Sequence, residues 1–323
     1  MKPKVLVITP ITHIKNAVDR LNNIFNVDYL PDPTKEQVMS IIQHYDAIFT
    51  NPNKSKIFIG KSLIEKAASL KTICTASTGT NHIDMQCAKK NQISILSLTN
   101  ERKIINQISS TAEHAFALTI ASIRNIVSAN KDVIKGNWNY ENFIGRQLNA
   151  LTIGIVGYGR LGKMYSKYCL AFNSNVLVFD PYKKIKSGKI TQVSSIEEIF
   201  GKSDIISFHV HVNDETKNMV NSTNLKLMRE KVLLVNTSRG DIINEKDLIK
   251  FLEKNPKARV ASDVVKDEIR NRENSELLRY SIKSKQVLIT PHIGGMTIEA
   301  QEIAYNHAIS LLINFFKLEK KNV

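Results

Sequence analysis

A glycine-rich segment between an apolar run and a helical pattern constrains the fold of this chain more than any other feature. Residues 157–162, Gly-Tyr-Gly-Arg-Leu-Gly, fit the pattern G-x-G-x-x-G. The apolar residues 151–156 before them indicate a buried strand, and residues 163–172 after them have helical periodicity. In this context Gly157 permits a tight turn, Gly159 a close approach to a pyrophosphate, and Gly162 close packing of helix on strand. The pattern predicts a dinucleotide whose pyrophosphate lies on the helix amino terminus, against the backbone of Arg160 and Leu161.

An acidic residue follows the next predicted strand, residues 176–179. Asp180 comes 18 positions after Gly162, where a carboxylate can accept hydrogen bonds from the adenosine ribose hydroxyls and repel a 2′-phosphate. This position favours NAD over NADP as the cofactor. The alternative interpretation is a strand-ending aspartate in the turn before Pro181.

Two series of strands and helices predict an α/β protein with two Rossmann-like domains and parallel sheets. The first series has predicted strands at 5–8, 47–50, 72–75 and 93–96, with helices at 34–45 and 62–69. The second has predicted strands at 151–156, 176–179, 205–208, 232–235, 258–261 and 287–289, with a final helix at 297–316. Six strands in one run match a complete Rossmann sheet. One long helix is predicted over 110–129, where it would suit a link between two domains.

Three chemically versatile residues come after strands of the second series. Arg239, Glu268 and His292 follow the strands at 232–235, 258–261 and 287–289. Ligands bind at the carboxyl ends of parallel strands, so we expect these side chains to lie together. Reduction of a 2-oxo acid needs a hydride, which NADH supplies, a proton from His292, and a carboxylate grip from Arg239. Glu268 would favour the protonated imidazole. Taken singly, each residue has an ordinary structural alternative. Arg239 could form a structural ion pair, Glu268 could be a surface acid, and His292 could be a capping histidine.

Together with the segments 236–240 and 290–295, these motifs resemble the D-isomer-specific 2-hydroxyacid dehydrogenase family from Thr72 to Thr297. The resemblance implies an NAD-dependent oxidoreductase that moves a hydride reversibly between NAD(H) and a small 2-oxo or 2-hydroxy acid. It implies that Arg239, Glu268 and His292 are catalytic. It also implies that Thr237 and Asp263 contact the cofactor, Asp263 at the nicotinamide carboxamide, and that backbone N–H groups around Thr78 and Gly79 receive the substrate carboxylate.

The resemblance further implies a discontinuous domain arrangement. Residues 1–100 and 294–323 would form the substrate domain, and residues 101–293 the inserted NAD-binding domain. The family usually dimerises through the NAD-binding domain, so a homodimer is expected. An alternative of a different class is an NAD-sensing binding protein similar to the C-terminal-binding co-repressors, which share this fold and these residues.

Departures from the family pattern concern two loops and the substrate. Ile269 and His211 stand where proline is common, and residues 97–110 form a longer segment than in many members. Asn51, Asn53 and Lys54 are our candidates for contacting the distal end of the substrate, because they offer donors, an acceptor and a positive charge. They favour a polar or phosphorylated tail over the methyl group of lactate. The alternative is an ordinary exposed Asn-Pro-Asn turn.

Composition limits the other function classes. A formal net charge of +15 raises the possibility of a nucleic-acid partner, but the basic residues are scattered, so we expect none and instead a preference for anionic ligands. No apolar run reaches the roughly 18 residues of a membrane span, and the amino terminus lacks a secretory signal. Cys74, Cys87 and Cys169 contain no Cys-x-x-Cys pair, which predicts no metal site and fits reduced thiols in a cytoplasmic protein.

Overall fold

The computed structural model describes residues 2–55, 57–269 and 271–319, which fold into two compact units. The first unit comprises Met1–Ile108 and Met296–Val323, and the second comprises Ser109–Gly295. The first unit is therefore discontinuous in sequence. Both units have a parallel sheet with helices between most successive strands, which confirms the predicted α/β class.

The first unit has a five-stranded parallel sheet. Its strands are β1 Lys4–Val7, β2 Asn26–Tyr29, β3 Ala47–Thr50, β4 Thr72–Thr75 and β5 Ser94–Leu96, and its first helices are α1 Ala17–Ile24, α2 Lys35–Ile41, α3 Lys61–Lys66, α4 Met85–Lys90 and α5 Arg102–Ile105. The strand order is β2-β1-β3-β4-β5. This is a doubly wound order whose switch point lies between β1 and β3, the place where such sheets bind ligands.

Both faces of this sheet are buried because the strands are apolar at successive positions. Val5 and Val7 face one hydrophobic core, while Leu6 and Ile8 face the other. A strand covered on both faces is a continuous apolar run rather than an alternating one. The sequence pattern missed β2 because its residues, Asn-Val-Asp-Tyr, lie at the sheet edge and bury no continuous run.

The second unit has a seven-stranded parallel sheet. Its strands are β6 Thr152–Val156, β7 Asn175–Phe179, β8 Thr191–Gln192, β9 Ile205–Phe208, β10 Leu233–Asn236, β11 Arg259–Ser262 and β12 Val287–Ile289, and its helices are α6 Ser110–Ile123, α7 Ile126–Ile134, α8 Arg160–Ala171, α9 Ile196–Lys202, α10 Ser222–Leu225, α11 Glu245–Lys254 and α12 Glu276–Lys283. The order β12-β11-β10-β9-β6-β7-β8 is a Rossmann sheet with one further strand, β12, at its edge. The six predicted strands are present, and the two-residue β8 is added.

The predicted single helix over 110–129 is wrong. It is broken at Asn125, whose backbone is left-handed with φ 56°. The guanidinium of Arg259 donates to the carbonyl of Ser122 (2.7 Å) and to the Asn125 side chain (2.5 Å), so an arginine from β11 caps the end of α6. Helical periodicity continues through the break, and therefore periodicity alone did not reveal it.

The chain returns to the first unit with α13 Ile298–Glu319. Tyr305, Ala308, Ile309 and Leu312 of this helix are buried in one of the two cores of the first unit. The segment before α6 is also anchored here, because Leu98 and Ile105 pack with Ala304 of α13. Among the described residues, no helix is long and apolar enough to cross a bilayer.

Candidate active site

The glycine-rich loop between β6 and α8 has the shape that a pyrophosphate site requires. Gly157 has φ 91°, and a Cβ there would lie 2.6 Å from the carbonyl oxygen of His209. A Cβ on Gly162 would lie 2.1 Å from the carbonyl oxygen of Gly157, so the helix can approach the loop only without a side chain. By contrast, a Cβ on Gly159 would meet no atom within 4 Å. Because α8 begins at Arg160, the first-turn N–H groups of Arg160 and Leu161 point out of the helix end beside this open space.

Asp180 is built into the same loop. It is 8% exposed, its Oδ2 accepts from the N–H of Tyr158 (2.8 Å), and its Oδ1 accepts from the N–H of Tyr182 (3.0 Å). Lys183 donates to the carbonyl of Tyr158 (2.9 Å) and lies 3.6 Å from the Asp180 carboxylate. A carboxylate has about four acceptor positions. The contacts fix its orientation and are compatible with further hydrogen bonds to ribose hydroxyls.

The turn after β10 carries Thr237, which is predicted to contact the cofactor. The hydroxyl of Thr237 is buried, and within the described residues it has no hydrogen-bond partner. Buried hydroxyls are normally paired. The unpaired Thr237 oxygen and the open space at Gly159 both fit a bound dinucleotide.

His292 and Glu268 form a direct pair at the carboxyl ends of β12 and β11. The Nδ1–H of His292 donates to Oε1 of Glu268 at 2.6 Å. His292 itself has left-handed backbone, φ 55°, and so does Asp267 beside Glu268, φ 52°. Positive φ costs free energy in residues other than glycine and is concentrated at functional sites. The geometry places a carboxylate and an imidazole in the arrangement of an acid–base pair.

Arg239 is held in a tight turn after β10. The side chain of Asn236 closes this turn, donating to the carbonyl of Arg239 (2.9 Å) and accepting from the N–H of Ser238 (3.0 Å). Burial lowers the pKa of Arg239 from its usual value, while the charges of Glu268 and Asp241 oppose that shift. Arg239, Glu268 and His292 thus follow three neighbouring strands of one sheet, β10, β11 and β12, and His292 and Glu268 are in direct contact.

The carboxylate of Asp263 organises the loop that carries His292. Its Oδ1 accepts from the N–H of Ile293 (2.9 Å) and its Oδ2 from the N–H of Gly294 (2.7 Å), while the Asp263 carbonyl accepts from the N–H of His292 (2.9 Å). The hydroxyl of Thr290 donates to Oδ1 at 2.5 Å. Consecutive N–H groups around a left-handed residue form a concave anion site. Here Asp263 supplies the anion and holds the strained backbone of His292.

His114 of α6 completes this network, and the sequence analysis did not find it. Its Nε2 lies 2.8 Å from the hydroxyl of Thr290 and 3.3 Å from Oδ1 of Asp263. Burial raises the pKa of Asp263, but the bonds from His114, Thr290 and the two loop N–H groups outweigh burial and leave the pKa below its usual value. His114 lies within an apolar helical stripe and 176 residues from Thr290, so nothing local in the sequence marked it.

His209 lies directly under the glycine-rich loop. Its Nε2 is 2.9 Å from the hydroxyl of Ser207, its ring lies 5.1 Å from that of Tyr165, and burial lowers the pKa of His209 to about 3. The ring is neutral at physiological pH and supports the loop through packing. It is a structural histidine, in contrast to His292.

The predicted substrate loop of the first unit follows β4. The carbonyl of Thr78 accepts from the hydroxyl of Thr99 (2.7 Å), and the carbonyl of Gly79 accepts from that of Ser77 (2.7 Å). In the described part of the chain no hydrogen bond uses the N–H of Thr78 or Gly79, so both N–H groups are suited to an anionic ligand.

The three candidates for contacting the distal end of the substrate lie in the turn after β3, and they differ in the hydrogen bonds they make. The Asn51 side chain donates to the carbonyl of Ala76 (3.1 Å) and accepts from the N–H of Asn53 (2.9 Å), so it joins two loops and has a structural role. Asn53 and Lys54 are partly exposed at the carboxyl end of β3, beside the switch point of the sheet. They remain the candidates that this turn offers to a ligand.

Comparisons with known proteins identify the family. Residues 116–294 match the model of the D-isomer specific 2-hydroxyacid dehydrogenase, NAD binding domain. A glyoxylate reductase from Pyrococcus furiosus is 31% identical over 94% of this chain and 89% of its own length. A D-3-phosphoglycerate dehydrogenase from Archaeoglobus fulgidus is 31% identical over 92% of this chain, which spans only 54% of that relative.

The fold is found in solved structures as well. The crystal structure of D-lactate dehydrogenase from Aquifex aeolicus, complexed with NAD and lactic acid, aligns with a TM-score of 0.83 at 24% identity and covers 99% of this chain and 97% of that one. The shared fold agrees with the parallel sheets described above. The chain belongs to the D-isomer specific 2-hydroxyacid dehydrogenase family, and its second unit carries the NAD-binding domain of that family.

Proposed function

We propose that this protein is an NAD-dependent D-2-hydroxyacid dehydrogenase that interconverts a small 2-oxo acid and the corresponding D-2-hydroxy acid. The observation that carries the proposal is the 2.6 Å pair of His292 and Glu268, which lies with the half-buried Arg239 in the unit that matches the NAD-binding domain. We assign cofactor binding to the second unit and substrate binding to the first. The three free cysteines fit a cytoplasmic location.

The residues have distinct tasks in the reduction. The cofactor supplies the hydride that C2 of the substrate accepts. Since Nδ1 of His292 is engaged by Glu268, Nε2 is the nitrogen that gives a proton to the carbonyl oxygen. Glu268 fixes the tautomer and compensates the positive charge of the imidazolium. Arg239 holds the carboxylate and the carbonyl oxygen with its planar pair of donors. In the first unit, the N–H groups of Thr78 and Gly79 are our candidates for binding a carboxylate.

A panel of 2-oxo acids tests the activity. With NADH in excess, at least one of glyoxylate, pyruvate, hydroxypyruvate and phosphohydroxypyruvate is expected to cause steady loss of NADH absorbance. NADH binding without turnover of any of these acids would favour the alternative of an NAD-sensing binding protein.

Asp180 is expected to determine cofactor preference. The wild-type protein should use NADH far better than NADPH, because the fixed carboxylate repels a 2′-phosphate. Asp180→Ser removes that charge while Lys183 remains, so the ratio of kcat/KM for NADH over NADPH should fall by about 10- to 100-fold. Asp19→Ser, at an exposed site of the first unit, is the matched control and should leave the ratio unchanged. Equal use of both cofactors by the wild type would contradict the ribose assignment.

We also propose that the substrate has a polar or phosphorylated tail, which Asn53 and Lys54 contact. The support is their position after β3 at the switch point, together with the positive charge of Lys54. Neither residue is required for the carboxylate end of the substrate. The contribution of Lys54 should therefore depend on the substrate.

Lys54→Ala separates a tail contact from an ordinary turn. For phosphohydroxypyruvate we expect kcat/KM to fall about 10- to 100-fold, since a hydrogen bond to a charged group contributes about 1.5–3 kcal/mol. For pyruvate, which has no polar tail, the loss should be less than about twofold. Lys89→Ala, exposed on α4, controls for the overall charge. An equal loss for both acids would show that Lys54 does not contact the tail.

A homodimer is the assembly that the surface of the second unit supports best. Large apolar side chains are exposed within residues 126–144, namely Ile126, Val133, Ile134, Trp138, Tyr140 and Ile144, and Trp138 is 87% exposed. Contiguous exposed apolar surface usually marks an interface. We propose that a second copy of the chain covers it. Sedimentation equilibrium should give twice the mass of the chain, and the mass of one chain would contradict this assignment.

A further inference from the structure

A buried carboxylate lies outside the catalytic set but next to it. Glu245, the first residue of α11, is 6% exposed. Its Oε1 accepts from the N–H of Lys266 (3.1 Å), and its Oε2 accepts from the N–H of Leu277 (3.1 Å). The hydroxyl of Ser275 donates to both oxygens at 3.0 Å. A buried acid with four such contacts is a fixed structural element, because each lost partner would leave a polar group unpaired.

The donors come from the two ends of the segment that carries Glu268. Lys266 precedes Glu268 by two residues, and Ser275 and Leu277 begin α12 beyond it. Between these ends, the described residues make local turns, with the N–H of Asn271 donating to the carbonyl of Asp267 (2.9 Å). Lys266 and Asp267 are exposed. Glu245 thus closes the base of a surface loop that presents Glu268 to His292.

The anchored end of the loop also packs on the Arg239 turn. A Cβ on Gly240 would lie 2.1 Å from the carbonyl carbon of Val265 and 2.3 Å from the nitrogen of Lys266. The peptide that Glu245 binds is therefore in direct contact with the residue after Arg239. A displacement of Lys266 would alter the position of Glu268 relative to both Arg239 and His292.

We propose that Glu245 is a positioning residue for the acid–base pair, which it serves by clamping both ends of the loop 266–277. The proposal rests on the proposed dehydrogenase function for its kinetic consequence, but the clamp itself does not. A clamp is needed here because Ile269 follows Glu268, and isoleucine does not restrict the backbone as proline does. Glutamate suits the task because only a carboxylate offers acceptors on both oxygens.

Glu245→Gln tests the clamp without a change of size. The amide retains one acceptor oxygen and turns an NH2 group towards one set of donors, so one end of the loop is released. Hydrogen–deuterium exchange of peptides covering 266–277 should accelerate about tenfold or more, while peptides from β6 and α8 should be unchanged. Glu253→Gln makes the same change at an exposed site of α11. It should alter the exchange of neither the 266–277 peptides nor the peptides from β6 and α8. Unchanged exchange in 266–277 would overturn the clamp.

Kinetics show whether the clamp acts through Glu268. We expect Glu245→Gln to lower kcat about 10- to 100-fold, since misplacement of a catalytic group by about 1 Å has that effect, while the affinity for NADH stays within about threefold of wild type. In a Glu268→Gln background the further loss should be less than about threefold, because the group being positioned is already absent. Glu245→Asp, which retains the carboxylate, should recover part of kcat.

The outcomes are distinguishable. Two results would overturn the positioning role. One is a loss of kcat in the Glu245→Gln, Glu268→Gln double variant that equals the product of the two single losses. The other is a kcat for Glu245→Gln within about twofold of wild type. If the wild-type protein reduces no 2-oxo acid, the proposed function fails, and the exchange experiment alone then supports or overturns the clamp.

Discussion

Replacing His292 with asparagine should lower kcat for reduction of a 2-oxo acid by about 10²- to 10⁴-fold, the usual contribution of a general acid. Asparagine is similar in size and can still donate a hydrogen bond to Glu268, but it cannot deliver a proton at neutral pH. The affinity for NADH should change little, because the glycine-rich loop and Asp180 do not depend on His292. Stopped-flow measurement of the hydride-transfer step, together with NADH fluorescence, would separate the two effects.

His44→Asn provides the matched control for this prediction. His44 is exposed in the first unit and contacts only its neighbour Gln43 among the hydrogen bonds of the described residues, so its replacement should leave kcat unchanged. Full activity in His292→Asn would show that another group supplies the proton. Loss of NADH binding in that variant would instead indicate a collapse of the loop that Asp263 holds.

Arg239→Gln is expected to lower kcat/KM by about 30- to 5,000-fold. Removing one partner of a buried, hydrogen-bonded charge pair costs about 2–5 kcal/mol, and the substrate carboxylate would lose its planar, bidentate partner. Arg239→Lys should recover only part of the lost kcat/KM, because an ammonium group restores the positive charge but not the planar pair of guanidinium donors. Steady-state kinetics with one 2-oxo acid at saturating NADH would measure both variants.

Arg229→Gln controls for the loss of an arginine charge in the same unit. Arg229 is paired with Asp204 at 2.8 Å on the exposed edge of the protein, and we expect less than a twofold effect on kcat/KM. Equal losses at Arg229 and Arg239 would contradict a specific carboxylate contact. The combination of a large effect at Arg239, partial recovery with lysine and no effect at Arg229 is the expected result.

The parts of the fold that the sequence predicted are those in which one local pattern decides the structure. The glycine spacing at 157–162 is local, and the structure places each glycine where a side chain would clash or where space is open. The central strands of both sheets are buried on both faces, so they appear as apolar runs. The edge strands β2 and β8 bury little and carried no such signal.

The errors arise where tertiary contacts override local preference. Nothing in the periodicity of 110–129 marks the break at Asn125, because the capping group is Arg259, more than 130 residues away. Likewise, Asn51 is chemically suited to a ligand contact, but its amide is used to join the turns after β3 and β4. Local composition can suggest which groups are available, but only the packing shows which are already engaged.

In the candidate site, too, some residues were predicted from the sequence and others were not. The order Arg239, Glu268, His292 after successive strands was sufficient to predict that the three follow one edge of the sheet, since parallel strands share that edge. Of these residues, Glu268 and His292 are in direct contact. The residues that hold them, His114 through Asp263 and Glu245 through the loop 266–277, come from helices distant in sequence. Their residue types are common on any helix, and therefore the sequence contained no signal that separated them from ordinary surface or core positions.

Transfer of deuterium from reduced cofactor to product is the most direct test of the central claim. NADH deuterated at the transferable C4 position would be incubated with the protein and the most active of pyruvate, hydroxypyruvate and phosphohydroxypyruvate, whose products have a stereocentre at C2. The product would be analysed by mass spectrometry and chiral chromatography. We predict a 2-hydroxy acid of D configuration with one deuterium at C2, and no transfer with His292→Asn on the same time scale. A product of L configuration, or one without deuterium at C2, would contradict the assignment.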